Sequence, residues 1–95
     1  MRIVWFRSAI VDLEEARTYI ANDDPEAVRR VASSVVRAVD RLARHPALGR
    51  PGRVPGTREL IVAGSPYVIP YRVRDDAVEI LRVLHARRRW PARLL

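Results

Sequence analysis

The sequence predicts an α+β domain of order β-α-α-β-β-β. Three observations carry this: two amphipathic helical stretches in the first half, a proline- and glycine-rich loop after them, and three strand-like runs in the second half. A chain of 95 residues has room for one domain, taken as 1–95, with a modest core. Two helices joined by a few residues form an antiparallel hairpin, which the order of elements places on one face of an antiparallel sheet.

Residues 2–6 read as a short first strand. Ser8 is a candidate N-cap for the first helix, with Ile10, Leu13, Ala16 and Ile20 at helical spacing behind it. Asn22-Asp23-Asp24-Pro25 stops that helix and starts the next, with Asp24 capping and Pro25 at the first helical position. The second stripe is Val28, Val31, Ala32, Val35, Val39 and Leu42, with Arg29, Arg30, Arg37 and Arg41 on the other faces and Pro46 beyond. His45 sits where a cation complements the negative end of the helix. From His45 to Gly56 the chain carries three Pro and three Gly, with Arg50 and Arg53 between them in no assigned role. Strands follow at about 57–63, 67–74 and 77–85.

A turn centred on Asp75-Asp76 sets the register of the last hairpin. One face then holds Tyr67, Ile69, Tyr71, Val73, Val78, Ile80 and Leu84, with Arg82 its one charge; this is the expected core face. The other holds Val68, Pro70, Arg72, Arg74, Glu79, Leu81, Val83 and His85, and is the candidate working surface. A one-residue slip would exchange the two sets.

Charge narrows the chemistry. The net charge of +7 comes from 18 basic residues, every one an arginine. Arginine stays ionised, forms planar bidentate contacts and stacks on rings, so nucleic acid or an acidic protein segment is the natural complement. A GC-rich genome would also favour arginine. Without Cys no thiolate metal site can be built, two His cannot build a zinc site alone, and no cofactor fingerprint is present. The apolar runs are too short to span a bilayer, so no membrane association is expected.

Arg87-Arg88-Arg89-Trp90 follows the last strand. These side chains can neutralise and stack on an anionic partner, and Arg58 and Arg72 on the strands join them as expected target-binding residues. The plainer alternative packs Trp90 on the sheet edge and leaves the arginines solvated. His85 has the right intrinsic pKa for acid–base work, yet no second catalytic partner is visible by sequence. Arg72 and Glu79 are expected to pair across strands. Arg82 requires a carboxylate, which Asp12, Glu14 or Glu15 of the first helix could supply.

The ordered set Gly56-Thr57-Arg58-Glu59-Leu60, Pro66-Tyr67-Val68-Ile69-Pro70-Tyr71-Arg72-Val73 and Val78-Glu79-Ile80-Leu81-Arg82-Val83-Leu84-His85, with Arg88 beyond, resembles the RelE/ParE superfamily of toxins from type II toxin–antitoxin modules. Trp5, Ala9, Asp12-Leu13, Tyr19-Ile20, Pro25, Leu42 and Pro46 extend the resemblance over nearly the whole chain. It implies a bacterial cytoplasmic toxin, a role in plasmid stabilization, and a cognate antitoxin bound in a hetero-oligomer. RelE-like members cleave messenger RNA in the ribosomal A site, whereas ParE-like members bind DNA gyrase. The RelE pattern has two lysines where this chain has Glu59 and Ile61, and an arginine where it has Val68. Of that nuclease set Arg88 survives, and a related branch would add His85. The end of the chain, Val83-Leu84-His85-Ala86-Arg87-Arg88, is more similar to the ParE version. The expectation is therefore a gyrase-binding toxin. The alternatives are a ribosome-dependent nuclease carried by His85 and Arg88, and a plain nucleic-acid-binding module.

Overall fold

In the computed structural model the backbone is described for residues 1–95, and the side chains for all but residues 20–23. The expected order holds, with two small strands added: β1 (Arg2–Trp5), α1 (Arg7–Asp23), α2 (Pro25–Leu42), β2 (Arg50–Pro51), β3 (Arg58–Ile61), β4 (Tyr67–Arg74), β5 (Ala77–Ile80) and β6 (Leu84–His85). Among the described residues no helix is long and apolar enough to cross a membrane.

The sheet runs β1-β5-β4-β3-β2, with β6 also paired to β4. It is antiparallel apart from its first strand, which lies parallel to β5 and pairs Ile3 with Val78 and Trp5 with Ile80. The expectation of a purely antiparallel sheet fails here for a topological reason. Parallel neighbours need a long crossover, and everything from α1 to β4 lies between these two strands in the chain.

Strand passes to helix without a spare residue. Phe6 donates its N–H to Ile80 O at 2.9 Å, while its carbonyl accepts from Ala9 and Ile10. The cap position thus belongs to Phe6, and Ser8 lies inside α1. The apolar stripe is displaced with it: Ala9 and Ala16 are buried and Leu13 packs beside them, whereas Ile10 is 49% exposed. Ile20, also expected in this stripe, falls outside the described side chains. α2 starts as expected, since Asp24 accepts Glu26 N–H at 3.0 Å and Pro25 opens the helix. Val35, Ala38, Val39 and Leu42 are buried against Leu60, Ile69, Tyr71, Val78 and Ile80 of the sheet. Burying a residue of this type is worth about 1.5–3 kcal/mol.

The loop after α2 is fastened at Tyr71. Its hydroxyl donates to Pro46 O at 2.7 Å and accepts Gly49 N–H at 2.8 Å. A Cβ on Gly49 would stand 2.6 Å from the Tyr71 ring, so only glycine lets the chain approach this closely. Arg58, opposite Tyr71, donates to Gly49 O at 2.8 Å and closes the same loop.

Asp75 and Asp76 have φ of 53° and 58°, a turn with both central residues left-handed, as a two-residue hairpin requires. The register then follows expectation at Tyr71–Ile80, Arg72–Glu79 and Val73–Val78. It breaks beyond Ile80. Residues 81–83 leave the ladder, and β6 resumes with Tyr67 opposite His85 and Val68 opposite Leu84, one residue out of step. This bulge sends Val83 into the core under the helices. It sends Leu84 to the other face, where it meets Leu81, Leu94, Phe6 and Trp90. The face expected to be a working surface is therefore largely covered: Val68, Pro70 and Leu81 are buried beneath it. Val73, assigned to the core, lies beside the turn of the hairpin and is 44% exposed.

Replacing Asp76 with Gly should relieve left-handed strain against glycine's greater chain entropy, for a net gain of about 0.5–1 kcal/mol in urea denaturation. Gly49→Ala should lose about 1–3 kcal/mol in the same measurement, because the methyl group cannot be placed without moving Tyr71.

Candidate functional site

The bulge depends on one carboxylate. Asp12 of α1 accepts Arg82 Nε at 2.6 Å, the second Arg82 nitrogen at 2.9 Å and Val83 N–H at 3.0 Å. It is thus the partner that Arg82 requires, and it also takes up the backbone donor released when the strand opens. The Asp12 hydrogen bonds hold Arg82 above its ordinary pKa against the opposing effect of burial, with the charges of Asp12 and Glu15 adding to the upward shift.

The shifted register turns His85 toward α1 and edge-on to Tyr67, with ring centroids 5.6 Å apart at 79°. Its Nδ1 accepts Arg87 N–H at 3.1 Å, which fixes the neutral tautomer with hydrogen on Nε2. Burial, then the charges of Arg88 and Arg87, push its pKa below the ordinary histidine value. Ala86 N–H bonds Pro66 O at 2.8 Å and Arg88 N–H bonds His85 O at 3.2 Å, so the arginines leave the strand in a closed turn. The Arg88 guanidinium lies over the Tyr19 ring, 4.3 Å from its centroid. Tyr67 stays protonated: burial raises its pKa, and the charge of Arg88 lowers it less than burial raises it. Between α1 and this turn runs an open cleft of about 550 Å³, with Tyr19, Tyr67, His85, Arg88, Arg89 and Trp90 on its walls.

The residues expected to bind a target therefore separate into two groups. Arg87, Arg88, Arg89 and Trp90 stay together beside His85, as the sequence indicated. Arg58 and Arg72 stand apart. Arg58 is engaged with the carbonyls of the α2–β2 loop, at 2.8 Å from Gly49 O and 3.4 Å from Ala47 O. Arg72 pairs with Glu79 at 2.5 Å on the opposite sheet face, with Phe6 beside it. Trp90 is no free stacking platform: it packs with Leu81, Leu84 and Phe6, donates to His85 O at 3.3 Å, and carries Arg53 on its ring at 3.5 Å. Packing on the sheet and membership of the cluster are both true of it.

Sequence reasoning missed Tyr19, Tyr67, Glu59 and Arg53. The tyrosines read as helix surface and core. A glutamate alternating with Arg58 and Leu60 reads as a solvated strand residue, yet Glu59 is only 3% exposed. Its Oε1 accepts from Arg50 at 3.1 Å, and its Oε2 accepts Arg53 N–H at 2.9 Å and Arg53 Nε at 3.3 Å. Burial alone would raise its pKa. The Arg53 amide, the Arg50 hydrogen bond and the two cationic charges outweigh that and hold it below the ordinary glutamate value. Among the described residues no group of three metal-ligating acidic, His or Cys side chains assembles.

Comparison with known proteins agrees with this architecture. Residues 3–90 match the model for the ParE toxin of the type II toxin-antitoxin system, parDE. The chain is 52% identical over 90 residues to Y4kP, a candidate toxin of Sinorhizobium fredii, covering 95% of this chain and 93% of that one. It is 41% identical over 87 residues to toxin RelE2 of Caulobacter vibrioides, covering 92% and 97%. Among solved structures, the chromosomal ParDE system of P. aeruginosa superposes with a TM-score of 0.82 at 30% identity, over 90% of this chain and 95% of that one.

Asp12→Ala should remove about 1.5–3 kcal/mol of stability. It should also abolish the nuclear Overhauser contact between the Tyr67 and His85 rings, because the register shift loses its anchor. Acidification should act through His85. Below the ordinary histidine pKa of about 6.5 the unfolded chain takes up a proton that the folded one refuses. Stability is thus fully present above that value and falls as pH drops through the lowered folded value. Urea denaturation from about pH 7.5 to about 5 should show this loss, and His85→Gln should remove its share.

Proposed function

Because this chain belongs to the ParE toxin family of type II toxin–antitoxin systems, we propose that it arrests bacterial growth by binding DNA gyrase through the turn at Arg87–Trp90. In the cytoplasm it is held inactive in a hetero-oligomer with its cognate antitoxin. In its genetic setting it would serve plasmid stabilization.

One observation carries this reading. The cationic turn lies beside a histidine whose acceptor nitrogen is already taken. Phosphodiester cleavage through a 2′-hydroxyl needs one group to take a proton, another to give one, and cations on the phosphate. The cations are here. Of the proton carriers, His85 has its Nδ1 occupied by a backbone N–H, Asp12 is consumed by Arg82 and Val83, Glu59 is buried beneath Arg50 and Arg53, and the Tyr67 phenol, its pKa raised by burial, holds its proton. A rigid array of planar cations with restrained proton chemistry suits recognition of an acidic or nucleic-acid-bearing target.

A second reading rests on a different observation. His85 is held neutral in the same cleft as Arg88, and a neutral imidazole becomes a general base once its Nδ1 releases the Arg87 N–H. In that case the chain cleaves messenger RNA on the ribosome. A plain nucleic-acid module is disfavoured, since Arg53 already covers the indole on which a base would stack.

Purified protein should inhibit gyrase supercoiling and leave messages on translating ribosomes intact. Replacing Arg87, Arg88 and Arg89 with Ala should raise the half-inhibitory concentration at least about tenfold, a loss of about 1.4 kcal/mol spread over three contacts. Message cleavage at the A site, lost on His85→Ala, would overturn gyrase binding in favour of the nuclease.

A further inference from the structure

The Arg87–Arg89 turn is held from a part of the chain that has no share in its sequence. Arg53 lies in the α2–β3 loop with its side chain 56% exposed, where a solvated arginine would adopt many conformations. Three contacts fix it instead. Its amide and its Nε both bond Glu59 Oε2, at 2.9 Å and 3.3 Å, and its guanidinium lies 3.5 Å from the centroid of the Trp90 ring. Glu59 is itself fixed, being almost wholly buried in β3 with its other oxygen held by Arg50. The indole is then restrained at two points: its face by Arg53 and its N–H by His85 O at 3.3 Å. Between His85 and Trp90 lie only Ala86 and the three arginines. The bond from Trp90 back to His85 closes a small loop around them.

We propose that Glu59 and Arg53 are positioning residues. Glu59 orients Arg53, Arg53 holds Trp90, and Trp90 sets where Arg87, Arg88 and Arg89 point. This rests on the reading that these arginines contact the target. It assigns a role to the buried glutamate that stands where the nuclease pattern has a lysine, and to an arginine that otherwise has no reason to be ordered. A charge-assisted bond to a buried carboxylate and a cation on an indole are each contacts that truncation removes without opening the core.

The experiment uses the full chain and a set of variants: Arg53→Ala, Glu59→Gln, Trp90→Leu and Trp90→Phe, with the Arg53→Ala/Trp90→Leu double variant. Amide exchange is followed by NMR, and inhibition of gyrase supercoiling is followed alongside it. Arg53→Ala should accelerate exchange of the Arg87–Arg89 amides and the Trp90 indole N–H about tenfold, leaving β3, β4 and β5 unchanged. It should weaken inhibition by a similar factor. Trp90→Leu should match it, Trp90→Phe should restore most of the loss because a ring remains under the guanidinium, and the double variant should be no worse than either single one.

Unchanged exchange in Arg53→Ala, additive effects in the double variant, or faster exchange with inhibition intact would each overturn the proposal. Glu59→Gln reports on the first link, and Arg53→Ala keeps the test open should that buried variant fail to fold. Were the wild-type protein inert toward gyrase, the target reading would fall. The same variants would then be compared for message cleavage and growth arrest, and the positioning claim would be judged on those.

Discussion

The geometry of this protein turns on a carboxylate in the second turn of its first helix. Asp12 accepts three hydrogen bonds from two consecutive residues of the last strand region, and in doing so replaces a section of β-ladder. The result is one residue of slack between β5 and β6. Side chains alternate with a period of two along a strand, so that residue reverses every assignment after it. Val83 enters the main core, Leu84 leaves it, and His85 faces Tyr67 rather than the opposite layer. Without the bulge the arginine turn would leave from the other face of the sheet, away from α1 and its tyrosine.

Both sheet faces are closed by the same long loop, through chemically different means. On the helix side, Tyr71 and Arg58 gather the carbonyls and amide of residues 46–49. On the far side, Glu59 gathers Arg50 and Arg53. Alternation along β3 explains the division of labour, since Arg58 and Glu59 necessarily point to opposite layers. A loop rich in proline and glycine thus becomes a rigid brace, and its charged residues are spent on architecture. The far layer is thin, made of Phe6, Leu81, Leu84, Trp90 and Leu94. Cation stacking on the indole adds to the apolar contact that holds that segment.

Much of this could be read from the residues. The Asp24-Pro25 junction, the α2 stripe, the Asp75-Asp76 turn and the Arg72–Glu79 pair are local patterns, and local patterns survive into the fold. Even the need of Arg82 for an acidic partner was readable, because a lone charge among apolar neighbours must be answered. What escaped was non-local. No feature of residues 77–85 announces a bulge; the cause is an aspartate some seventy positions earlier. His85 changes face for that reason, whereas Arg58 and Arg72 keep the faces that alternation gives them and are taken up by loop carbonyls and by Glu79. Ser8 reads as a cap because nothing in the sequence says that Phe6 alone joins the strand to the helix. Glu59 was overlooked because burial of an acid depends on which cations the loop returns to it.

The span between Asp12 and Arg82 also has a temporal meaning. Closing a loop of 70 residues costs about 4 kcal/mol of chain entropy before any bond rewards it. During synthesis α1 and α2 are complete long before Arg82 leaves the ribosome, and Asp12 waits without its native partner. The cleft beside His85 therefore cannot exist on a nascent chain, and whatever the turn binds is out of reach until nearly all of the domain has been made. The cleft is thus a late product of folding, assembled only when the last strand reaches the first helix.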